Sequence, residues 1–172
     1  MTVLIAILAG TAIFLVAVRL WMSRDAEAKA HPDEIVDFAT FDPGERQNVS
    51  LMCPPEACPK TGESARSPSF AMPWQRLRDH WEEMARQQPR TAQVWSDAER
   101  RKLVYVQRSA FFQFPDIVTV EFRPAGDNAS TLAVASQSRY GRRDFGVNQE
   151  RIAAWTGRLV GMMRKEDVAT PR

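Results

Sequence analysis

Ser136, Ser138, Arg139, Asp144, Asn148 and Arg151 fall in one stretch, SQSRYGRRDFGVNQER, the densest cluster of small, amide and charged residues in the chain. Hydroxyls, guanidinium forks and a carboxamide can converge on a phosphate or carboxylate. That holds most where a helix begins, because its first N–H groups attract anions. The same side chains can instead satisfy one another. A polar atom buried without a partner costs about 1–3 kcal/mol, which is reason enough for a mutual seam. Both readings stay open: a small anionic ligand in a cleft, or the polar seam of a small domain. Catalysis has less to stand on. A Ser-His-Asp arrangement would need His31 or His80 brought to Ser136 or Ser138, and nothing in the spacing does that. There is no G-x-S-x-G, no phosphate-binding glycine loop and no zinc signature. No catalytic residue, metal site or cofactor is assigned.

The elements that must position these residues follow from periodicity. Ser130–Ser138 reads as a strand in which Leu132, Val134, Ser136 and Ser138 share one face. If Leu132 and Val134 face the core, the serines continue that line to the strand's end. Gly141 and Gly146 let the connection turn sharply. A helix from about Gly146 to Arg164 follows, with an apolar stripe of Ile152, Trp155, Leu159 and Met162 and with Asp144 or Asn148 as its cap. Upstream, Thr91–Trp95, Lys102–Arg108 and Asp116–Arg123 read as strands, the last with one core face (Val118, Val120, Phe122). Another helix starts at Pro73 with Trp74, Leu77, Trp81 and Met84 on one face, and ends before Pro89. His80 falls at the edge of that face. Short connections favour an antiparallel meander. The expected fold is α+β: a two-layer domain, helix, four-stranded antiparallel sheet, helix.

That domain spans residues 71–166, with 167–172 a tail. Residues 1–22 are expected to be a transmembrane anchor. Val3–Val18 carries no charge, and the apolar run resumes at Leu20–Met22. About 20 such residues make about 30 Å of helix, enough to cross a bilayer. A cleaved signal peptide is the rival; a basic leading segment is missing, though Ala26-Glu27-Ala28 resembles a cleavage site. Arg19, Arg24 and Lys29 follow the segment and none precedes it, so the positive-inside rule favours a cytoplasmic domain. Residues 23–70 read as a Pro-rich linker or loosely packed lead-in, in which Ile35, Val36, Phe38 and Phe41 could still pack on the domain. Cys53 and Cys58 lie there. Their spacing permits a local disulfide, which would matter in an oxidising compartment, or two free thiols.

Charge excludes little and suggests little. The 172 residues carry 23 Lys and Arg against 21 Asp and Glu. A formal net charge of +2 gives no ground for nucleic acid as a partner. Acids dominate from Asp25 to Glu45 and arginines from Arg76 onward. A solvated acidic linker beside a mildly basic domain is the plain reading. A basic surface for anionic lipid made of Arg100, Arg101, Lys102, Arg142 and Arg143 is the sharper one. Asn48-Val49-Ser50 and Asn128-Ala129-Ser130 match the glycosylation pattern, a short match given no weight.

The SQSRYGRRDFGVNQERI segment resembles the signature of the bacterial and plastid family called domain of unknown function 1499, R-S-A-S-R-x-G-x-S-D-x-G-x-N-x-x-R. Ser136, Ser138, Arg139, Gly141, Asp144, Gly146, Asn148 and Arg151 match. Ala135, Gln137 and Arg143 depart from it, standing where the family has arginine, a small residue and serine. Phe114-Pro115-Asp116 is also similar to the family, and Cys53-Pro54…Cys58 is a shortened form of its C-P-x-x-P-N-C. The resemblance implies no activity. Its members are often membrane-associated or exported, which leans the domain outward, against the positive-inside count.

The expected function is therefore a single-pass, membrane-anchored, non-enzymatic binding or accessory module. The alternative is an enzyme acting on a small anionic substrate at the same junction. The membrane is the partner through residues 1–22; a protein partner or small anionic ligand stays unnamed.

Overall fold

The structure, a computed structural model, describes residues 2–24, 30–60 and 65–169. Ala26-Glu27-Ala28, Lys29 and residues 170–172 lie outside them. The apolar N-terminal run is one helix, α1 (Thr2–Arg24). Its Val3–Trp21 portion is long and apolar enough to cross a membrane and is not buried against the rest of the protein, a length and composition that also suit a signal sequence.

Six strands form one sheet: β1 (Val49–Cys53), β2 (Ala65–Arg66), β3 (Thr91–Asp97), β4 (Lys102–Arg108), β5 (Pro115–Pro124) and β6 (Ser130–Ser138). Their order is β2-β1-β6-β5-β4-β3. The last four strands make the expected antiparallel meander. The four-stranded sheet is corrected to six: β1 adds antiparallel to β6, and β2 adds parallel to β1. Both extra strands come from the stretch read as a lead-in. They are five and two residues long, between prolines, too short for an alternation to show.

Two helices, α2 (Trp74–Arg86) and α3 (Val147–Ala169), lie over one sheet face. Leu77, Trp81 and Met84 from α2 meet Ile152, Trp155 and Leu159 from α3 above Tyr105, Val118, Val120, Phe122, Leu132 and Val134. The Trp81 and Trp155 rings are 5.8 Å apart. The α3 stripe closes on the buried Met163, with Met162 only packed against the core, because four residues match the helical turn better than three. The α3 backbone also runs to Ala169, past the expected end at Arg164.

The other sheet face is buried too, which corrects the single core face and the two-layer arrangement. Ile117 and Thr119 are both about 1% exposed. Val36 and Phe38 cover Ala133 and Ala135 together with Cys53 and Cys58, which are joined by a disulfide with their Cα atoms 6.3 Å apart. Ala30 and Ile35 pack on Val104, Val106 and Ile117. Lys102, read as a surface cation, is buried instead. Its Nζ donates to the Val36 carbonyl at 3.3 Å and pairs with Glu121 at 3.3 Å and Asp37 at 3.8 Å. A stretch without helix or strand period has thus become the third layer, held by a few apolar side chains and ion pairs.

Candidate functional site

The register of β5 on β6 sets Val118 opposite Ser136 and Asp116 opposite Ser138. All four residues therefore face α3, at the sheet end where that helix begins. Asp144 starts the helix. Its Oδ2 accepts from the Asn148 N–H at 3.0 Å and its Oδ1 from the Gly146 N–H at 3.1 Å. The turn needs Gly146, whose φ of 87° is strained for any side chain. Of the two cap candidates Asp144 is the cap, while Asn148 points inward from the first helical turn.

Asn148 and Arg151, three residues apart on that turn, reach down onto the strands. Ser136 donates to Asn148 Oδ1 at 2.7 Å and accepts from Arg151 Nη1 at 2.8 Å. Arg151 Nη1 also donates to Asn148 Oδ1. Arg151 Nη2 donates to Asp116 Oδ2 at 2.5 Å, and its Nε to Gln107 Oε1 at 2.5 Å. Asn148 Nδ2 donates to Ser138 Oγ at 3.1 Å and to the Asn48 carbonyl at 3.0 Å. Ser136 and Asn148 are wholly buried. In this seam each polar side chain is the partner of another, and the Arg151–Asp116 pair holds its only two opposite charges.

Arg139 turns to the other face. Its Nε and Nη2 grip Glu34 in a fork, at 2.6 and 2.7 Å. Glu34 in turn accepts from the His31 N–H at 2.8 Å, and its carbonyl accepts from Gln137 at 2.7 Å. The six residues expected to form one site thus divide three ways. Ser136, Ser138, Asn148 and Arg151 make the seam, Asp144 caps α3, and Arg139 clamps the lead-in.

Next to that clamp lies an open cleft of about 790 Å³. Ser138 and Arg139 form one wall, Glu34 and Glu45 another, and Arg46, Arg142 and Arg143 bring further positive charge. Arg142 and Arg143 make no salt bridge to the described residues. The proposed five-residue basic surface does not exist as one patch. Arg100 and Arg101 sit in the β3–β4 turn at the opposite end of the sheet from Arg142 and Arg143, and Lys102 is buried. Neither histidine lines the cleft; His80 is half-buried on α2. Among the described residues no group of three or more His, Cys, Asp or Glu is placed to hold a metal ion.

Four residues of this region were not singled out as site candidates from the sequence. Asp116 stood in the Phe114-Pro115-Asp116 step, which carried a family likeness and no role. Asn48 stood in a glycosylation pattern, but its Nδ2 is engaged twice, by the Ser138 carbonyl at 3.1 Å and the Gly141 carbonyl at 2.8 Å. Gln107 and Glu34 had no local signal, because their partners are distant in the chain.

The family model described as "Protein of unknown function (DUF1499)" matches residues 48–159. No curated protein and no solved structure matches the chain.

Proposed function

Because this chain belongs to the DUF1499 family, whose description assigns no activity, we propose from geometry that it is a membrane-anchored, non-enzymatic binding or accessory module. One observation carries the reading: the family-signature hydroxyls, carboxamide and guanidinium are spent on one another in a buried seam, beside an open, arginine-bearing cleft. The seam fixes the wall and the cleft does the binding. A small ligand with an anionic group suits Arg46, Arg142 and Arg143, which pair with no described acid of the lead-in as Arg139 pairs with Glu34. Residues 1–22 are the single-pass anchor. The Cys53–Cys58 disulfide favours an extracytoplasmic domain, since such bonds persist in oxidising compartments.

The test is ligand-induced stabilisation of the full chain in nanodiscs. Inorganic phosphate, acetate and citrate are titrated as probes, against the wild type and Arg46→Ala/Arg143→Ala. A ligand that binds only the folded state raises its melting temperature with concentration. The expected result is a rise with one of these anions that the double variant loses. Equal responses of the two proteins would overturn the cleft as the binding site.

A further inference from the structure

We infer that the sheet end carrying the signature loop lies in the headgroup layer of the bilayer, so that the domain docks on the membrane through a second, aromatic contact beyond α1. Outside α1, the exposed large hydrophobic residues among those described are Phe111, Phe114, Tyr140, Phe145 and Val147. Four of them lie in two loops, β4–β5 and β6–α3, and Val147 opens α3. Both loops leave the same end of the sheet, where Arg108 pairs with Pro115 and Asp116 with Ser138. Phe145 is 91% exposed and Phe111 65%. Rings so exposed, gathered at one end rather than scattered, mark an interaction surface.

The β4–β5 loop is built to meet a low-dielectric layer. Its polar groups bond inward: Phe114 N–H to Ser109 Oγ at 3.0 Å, Gln113 Nε2 to the Ser109 carbonyl at 3.1 Å, Arg108 Nη1 to the Gln113 carbonyl at 2.9 Å. Its rings pack on each other, Phe111 edge-on to Phe112 at 4.8 Å and Phe112 stacked on Phe114 at 5.4 Å, leaving Phe111 and Phe114 exposed.

The occupant is argued from the anchor. Arg19, near the end of α1, donates to the Ala110 carbonyl at 3.3 Å and to that of Phe111, which puts the loop level with the last turns of the apolar helix. The covalent path agrees. Only five residues separate Arg24 from Ala30. That link spans at most about 20 Å, and it enters the domain at this same end, through Glu34 beneath Arg139. Aromatic rings favour the interface, and Arg142 and Arg143 beside Phe145, with no salt bridge to the described residues, complement anionic headgroups. The cleft then opens at headgroup level.

This inference rests on α1 remaining as the anchor, which resistance of the reconstituted chain to alkaline carbonate extraction reports separately. The full chain, with Cys53–Cys58 oxidised, is given one nitroxide at Phe111→Cys, Phe145→Cys or, in the turn at the far end, Asp127→Cys. Each is placed in vesicles of phosphatidylcholine with phosphatidylglycerol. The expected result is a several-fold higher oxygen-to-nickel accessibility ratio at 111 and 145 than at 127. Adding Arg142→Glu/Arg143→Glu should reduce the ratio at 145. Equal ratios at all three positions would overturn the inference. Shielding of 111 and 145 from both oxygen and nickel would also overturn it, by assigning the surface to a protein or a second copy.

Discussion

Arg151 bonds four residues of the seam, Ser136, Asn148, Asp116 and Gln107, from one guanidinium. Arg151→Met should cost about 3–5 kcal/mol in denaturant unfolding, because it strands the buried Asp116 carboxylate. Arg151→Met/Asp116→Asn should recover part of that loss, and the double-mutant cycle reads the coupling directly. Tyr105 is a contrasting case. Its hydroxyl is buried with no hydrogen bond to the described residues, and burial, then the charge of Glu82, pushes the phenol well above its ordinary 10.0. The fold favours the neutral form. Its contribution to stability is therefore whole below pH 10.0 and is lost as the pH rises toward the shifted value. Tyr105→Phe should leave neutral-pH stability within about 1 kcal/mol of wild type, or raise it. It should also remove this alkaline loss, measured by unfolding between neutral pH and high pH. At this scale the sequence was informative about Ser136 and Ser138, whose shared face follows from the alternation begun at Leu132. It was uninformative about Glu34 and Gln107, since a hydrogen bond closed by tertiary folding has no periodic trace.

Among the elements, β6 carries both faces of the argument. Ser136 meets α3 on one side, and Ala135 meets the lead-in on the other. That tight second face accounts for a buried alanine at a position where related signatures have arginine. Asp144→Ala removes the α3 cap and should cost about 1 kcal/mol by thermal unfolding. Alanine at Arg139 or Asp144 therefore reports on scaffold before it reports on any ligand. The Cys53–Cys58 bond starts from the last residue of β1. Replacing both cysteines by serine should lower stability by about 2 kcal/mol, the loop-closure value for so short a ring, with the effect vanishing when both proteins are compared in reductant. Strands β4 and β6 were legible to the residue because each is long and rich in apolar and β-branched positions. β1 was hidden because VSLMC is defined by its pairing with β6 rather than by its own pattern.

For the molecule as a whole, the sheet is a shared floor for two covers. The helical cover was legible from its tryptophan stripes. The irregular cover was legible only as Ile35, Val36, Phe38 and Phe41, residues able to pack that do pack, since an apolar residue every few positions among prolines looks the same in a linker. The prediction at this scale is a truncation. A chain of residues 71–172 bares Val104, Val106, Ile117, Ala133 and Ala135 and should aggregate. A chain of residues 30–172 should stay monomeric and unfold cooperatively, as read by light scattering and circular dichroism.

The Arg139–Glu34 clamp closes across 105 residues of chain. During synthesis this sets a schedule. α1 emerges first, and Val36, Phe38 and β1 must wait for β6 to arrive. Long-range pairing of this kind is slow and leaves apolar surface exposed meanwhile. A chain interrupted before Arg139 would keep an uncovered sheet, a ready substrate for proteases. The closing fork is thus also a mark of progress, made only once β6 has been translated and before α3 is complete.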